Sequence, residues 1–135
     1  QGLKIKPDEK SLQINKISSL RKKHDFQNAL NLCNFLLKNE PMENIVLYHK
    51  IRILHSMKKF TESIEICNTI LELYPNNADV LFDKSCNYAL LNDYPNCLKN
   101  LKMAINISNK FKINSRENKS FESLRKIKEF QKLIE

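Results

Sequence analysis

The chain has 135 residues, a formal net charge of +8, four cysteines, four prolines, no tryptophan and one glycine, Gly2. That length supports one domain or a short run of stacked repeats. A lone glycine at the N-terminal edge excludes glycine-rich phosphate loops, dinucleotide fingerprints and sheets built on Asn-Gly hairpins, which leaves an all-α chain.

In chain order, Gln1-Gly2 reads as the scar of a cleaved expression tag. Apolar residues then recur at helical spacing over six segments, near 8–22, 25–38, 43–57, 60–73, 78–91 and 94–107. In the third, Leu47, Ile51 and Leu54 follow i, i+4, i+7; in the fourth, Phe60, Ile64, Cys67 and Leu71 continue the rule. Lys58-Lys59 between them leaves room only for a tight turn. Pro41 and Pro75 cannot continue a helical hydrogen-bond ladder and so stop the helices before them. Beyond Asn109, a polar stretch at 114–118 precedes an apolar stripe of Phe121, Leu124, Ile127, Phe130 and Ile134, which predicts one further helix over 121–134.

The segments repeat. Pro41, Pro75 and Asn109 stand 34 residues apart, and so do Phe26, Phe60 and Tyr94. Ala29, Ser63 and Cys97 share that step, as do Leu30, Ile64 and Leu98, and Leu20, Leu54 and Tyr88. Each period is an antiparallel helix pair whose apolar faces are too small to stand alone. The series Leu47, Ile51, Leu54, Ser63, Cys67, Pro75 and its successor Leu81, Ser85, Tyr88, Cys97, Leu101, Ala104 resemble tetratricopeptide repeats. The resemblance covers three copies, about 10–41, 42–75 and 76–109 within 3–109, and implies an all-α superhelix of helix pairs. Small residues at 29, 63, 97 and 104 are where the family brings helices close. Residues 110–135 resemble the segment that closes such arrays, covering the apolar face of the last copy. Lys16, Lys50 and Lys84 form a ladder at the same step, resembling archaeal and bacterial variants; each stem is expected to pack along its helix pair with the ammonium in water.

The resemblance implies a protein-binding groove lined by the first helix of each pair, and so a scaffold rather than an enzyme. Its candidate residues are Ile14, Asn15, Ser18 and Arg21 from the first copy. Ile45, Tyr48, His49, Arg52 and His55 come from the second, and Asp79, Phe82, Asp83 and Cys86 from the third. Tyr48 and Phe82 occupy equivalent places, and an aromatic pair beside Arg52 suits a peptide anchor. The carboxylate clamp of some relatives maps to Ile14, Ser18, His49, Asp79 and Asp83, which lack its cations, so that clamp is absent.

No cofactor or metal is expected. His49 and His55, six residues apart, diverge by roughly 120° around a helix, and the cysteines show no CxxC spacing. Free cysteines in apolar helical patterns and no spanning segment point to a cytoplasmic protein without membrane attachment. The charge divides unevenly: Lys and Arg outnumber Asp and Glu eight to four in 1–40 and again in 110–135, and are balanced between. A nucleic-acid groove should be basic along its length, so nucleic acid ranks behind a protein or peptide partner. Self-association through an end of the array is a third reading.

Overall fold

The computed structural model describes residues 7–135, Pro7 by its backbone alone; the expected scar at Gln1-Gly2 lies outside the described residues. Six helices realise the repeating pattern: α1 (Pro7–Lys22), α2 (Phe26–Asn39), α3 (Asn44–Ser56), α4 (Phe60–Leu73), α5 (Ala78–Leu90) and α6 (Tyr94–Ile107). Their bounds fall within two residues of those read from periodicity. No strand occurs among the described residues.

Each hairpin turn is made the same way. His24, Lys58 and Asn92, again 34 residues apart, adopt left-handed backbone with φ of 61°, 62° and 60°. The following amide reaches back to a carbonyl in the last turn of the first helix: Asp25 to Leu20 (2.9 Å), Lys59 to Leu54 (2.8 Å) and Asp93 to Tyr88 (2.9 Å). This is the Schellman closure, which satisfies helix-end carbonyls and ordinarily favours glycine at the left-handed residue. Helix starts are capped by side chains: Glu43 accepts from the Ile45 amide, Asn77 from Val80 and Asp93 from Asn96. Such caps contribute about 1 kcal/mol each.

The described residues fall into two compact units, one ending at Lys59 and the other beginning at Phe60. In the first, α1, α2 and α3 pack on one another, with Ile17, Ala29, Cys33 and Ile51 completely buried. Ala29 carries no side chain beyond Cβ, which lets α2 approach closely. Lys10 on α1 bridges Glu40 and Glu43 across the end of α2.

The second unit holds α4, the α5–α6 hairpin and the C-terminal segment. Two buried polar side chains here find internal partners. The Asn87 amide donates to Ser63 Oγ at 2.9 Å, and Ser85 Oγ donates to the Cys97 carbonyl at 3.0 Å. The single helix expected over 121–134 is replaced by two short pieces, a 3₁₀ helix (Lys119–Leu124) and α8 (Lys128–Leu133), and a further short helix, α7 (Lys110–Glu117), precedes them. The reason is local. Asn118 caps the 3₁₀ turn through the Ser120 amide at 2.9 Å, and Arg125 donates to the carbonyls of Arg116 and Asn118, holding a bend where a straight helix would run on. Phe111, Phe121, Leu124 and Phe130 enter the same buried cluster as Leu81, Ala89, Leu101 and Ala104 of the hairpin.

Candidate functional site

In the first unit α1 lies against α3, and the candidate residues of these helices meet along their seam. Arg21 on α1 approaches His49 on α3, Nη1 to Nδ1, at 3.1 Å. A guanidinium can only donate, so Nδ1 is the acceptor and the ring proton sits on Nε2. That Nε2 faces Ser18 Oγ at 3.4 Å. His49 is thereby held in one tautomer and one orientation between two residues of α1.

Two guanidinium charges bear on His49. Burial lowers the His49 pKa from its ordinary value, and the charges of Arg21 and Arg52 lower it further. Lys50 and Arg21 are also felt by the Cys33 thiol on α2, although burial outweighs them and lifts it to about 11. Helix α3 contains no Asp or Glu, and between Lys10 and Asn39 the single acid is Asp25. Tyr48, His49 and His55 are half-buried, while Asn15 and Arg52 are exposed. Ile45, one turn before His49, is 53% exposed and adds an apolar edge.

The third-copy candidates lie in a different setting. Phe82 is only 8% exposed; its ring sits 5.1 Å from Phe111 and 5.7 Å from Phe121, centroid to centroid. It is a core residue under the C-terminal segment rather than a groove aromatic. Cys86 is buried too, with its thiol hydrogen-bonded to the Ser120 side chain. Asp83 is half-buried, and its carboxylate adds to the burial that raises the Cys67 and Cys86 thiols. Asp79 pairs with Lys110 at 3.5 Å on the surface, a contact worth little in water. The residue that covers Phe82, Phe111, escaped notice because it is the lone large apolar side chain turned inward from a short polar helix.

Of the lysine ladder, Lys16 is exposed and Lys50 and Lys84 are half-buried. The Lys84 ammonium lies 6.0 Å from the Tyr88 ring centroid one turn on, and burial pulls its pKa down. Cys97, like Cys33, is pushed up to about 11 by burial, so all four thiols are held protonated, the opposite of what nucleophilic cysteine chemistry needs. Among the described residues no group of three or more His, Cys, Asp or Glu is placed to hold a metal ion. No helix among them is long and apolar enough to cross a membrane.

The helix pairs, their common turn and their 34-residue step define a tetratricopeptide-type fold: all-α, antiparallel pairs in a helical solenoid. Solved structures with this fold include MamA from Desulfovibrio magneticus RS-1, residue 41 to the end. It is 15% identical with a TM-score of 0.70, over 90% of this chain and 72% of that one. The MamA RS-1 ArsTM double mutant matches at 14% identity and TM-score 0.70, over 95% and 76%. At such identities the likeness carries the fold alone. No protein-family model matches the sequence, and no curated protein does.

Proposed function

We propose that the chain is a protein–protein interaction scaffold, and that the α1–α3 face of its first unit takes a peptide segment of a partner. The observation that carries this reading is the seam itself. Ser18, Arg21 and His49 are locked together by side-chain hydrogen bonds, with Arg52, Tyr48 and Ile45 beside them on α3. A rigid surface with aromatic, apolar and guanidinium groups loses little freedom on binding and offers the residue types that anchor peptides. A tetratricopeptide-type fold suits such work, since it supplies preformed helix faces and no reaction chemistry of its own.

The basic C-terminal segment weighs against a nucleic-acid reading. Arg116 donates to the Ile134 carbonyl at 2.9 Å from Nε, Arg125 is bonded to carbonyls as described, and Lys110 faces Asp79. These cations hold the segment together rather than form a phosphate track.

Selection from a random peptide display library tests the proposal. Wild-type protein is expected to enrich a convergent motif, and a Tyr48→Ala/Arg52→Ala variant to lose that enrichment. Phe82 is left intact because its removal would disturb the core. The same motif enriched equally by both proteins, or none by wild type, would overturn the assignment.

A further inference from the structure

We propose that the chain self-associates through the outer flank of α1, two copies pairing these helices antiparallel about a twofold axis. The inference stands apart from the peptide-binding reading, since it uses a different flank of α1 from Ser18 and Arg21. Two observations lead there.

First, the repeat shows what this flank is shaped to meet. Leu12, Lys16 and Ser19 on α1 are matched at the 34-residue step by Val46, Lys50 and Ile53 on α3, and by Val80, Lys84 and Asn87 on α5. On α3 and α5 the row is turned to the second helix of the preceding pair. Val46 shares a small pocket with Leu36 of α2, and the Asn87 amide donates to Ser63 Oγ of α4 at 2.9 Å. Val46, Ile53, Val80 and Asn87 are completely buried. On α1 the same row is open: Leu12 is 67% exposed, and Lys16 and Ser19 are exposed with it. Stacked repeats bury this row against a neighbouring helix, and a large apolar side chain in the open one calls for the same cover.

Second, the charges say which helix covers it. Asp8 and Glu9 occupy the first turn of α1, Arg21 and Lys22 the last. Lys23 stays in helical register through its amide bond to the Ser19 carbonyl at 3.1 Å. Asp8, Glu9, Lys22 and Lys23 are all exposed. That order suits the dipole of α1 itself and also makes the helix complementary to its own reversed copy. Asp8, Leu12, Lys16, Ser19 and Lys23 follow one another at steps of four, four, three and four, which puts them on one face. With the axis between positions 15 and 16, Asp8 meets Lys23 of the second copy and Leu12 packs over the small Ser19, each contact made twice. Glu9 and Lys22 flank these pairs. Lys16 lies beside the axis, its stem on the interface and its ammonium reaching out to water.

Sedimentation equilibrium of the full chain tests the pairing. Salt is held at about 0.15 M, where repulsion between two copies is screened beyond about 8 Å while contact pairs persist. One helix per copy makes a weak, transient interface, so the protein concentration is carried to about 1 mM. The weight-average mass is expected to rise toward that of two chains. Leu12→Glu, at an exposed position, is expected to weaken association about tenfold or more. Asp8→Lys/Glu9→Lys and Lys22→Glu/Lys23→Glu are each expected to stay monomeric. An equimolar mixture of these two variants associates again, because every end pair is then opposite in sign.

A wild-type chain that stays monomeric to the top of the range overturns the proposal. So does a dimer that persists in Leu12→Glu, since its contact then lies on another face. Reversed variants that keep their helices by circular dichroism yet fail to associate when mixed overturn it as well. If a reversed variant loses helix, Leu12→Glu decides alone.

Discussion

His49 illustrates how a single side chain couples structure to solution conditions. In the folded chain its imidazole is half-buried and accepts from Arg21, and the charge of Arg52 also disfavours its protonation. From α2 the titratable group in the same region is the Cys33 thiol, which is neutral throughout the histidine range. The folded pKa therefore lies below the ordinary value of 6.5. As pH falls, the unfolded chain takes up this proton first, so the contribution is fully present above the unfolded value and is lost as pH drops through the folded one. The urea midpoint of wild type is expected to decline as pH falls through and below the ordinary imidazole value of 6.5, and His49→Gln to flatten that decline. Glu43, which Lys10 holds below its ordinary 4.5, sheds its own contribution only in more acid solution, so the two windows separate. A wild-type midpoint constant over the histidine range would contradict the assignment.

At the scale of the helix and turn, most of the fold was legible because three copies of one pattern reinforce each other. One amphipathic segment is ambiguous, but Phe26, Phe60 and Tyr94 starting three helices at one step are not. The turns were harder to read. His24, Lys58 and Asn92 give no sign of left-handed backbone, since each carries a Cβ where glycine is favoured. Lys58→Gly is therefore expected to raise stability by about 0.5–1 kcal/mol, the relief of Cβ strain exceeding the entropy that glycine adds to the unfolded chain. Asn92→Gly should gain less, because asparagine tolerates this region better than lysine. Thermal midpoints of the two variants check the order, and a lower midpoint for Lys58→Gly would refute it. Helix α7 was invisible for a different reason. Of its eight residues only Phe111 and Ser115 are buried, too few apolar positions to produce a period.

Across the whole molecule, periodicity told which residues share a face and left open what covers that face. Phe82 sits where an internal repeat would present a groove residue, yet here the C-terminal segment packs on it. Tyr48, at the matching place in the preceding copy, remains half-buried. The same logic sharpens the charge. Half of the +8 excess falls in 110–135, on the polar side of pieces whose other side is the aromatic cluster of Phe82, Phe111, Phe121 and Phe130. Phe121 joins that cluster together, 5.7 Å from the Phe82 ring and 5.5 Å from the Phe130 ring. Phe121→Ala is expected to cost about 3–5 kcal/mol from lost burial and the cavity left behind, a large share of the 5–15 kcal/mol typical of a domain. Ile113→Ala, at a side chain of α7 that is 59% exposed, should change stability by no more than about 0.5 kcal/mol. The two variants are compared by chemical denaturation and by binding of a hydrophobic dye. If the segment secures the α5–α6 hairpin, Phe121→Ala binds dye before the main unfolding transition, because the rings it covered open to water ahead of the rest. Equal denaturation midpoints for the two variants would mean that the aromatic cluster contributes nothing to holding the second unit together.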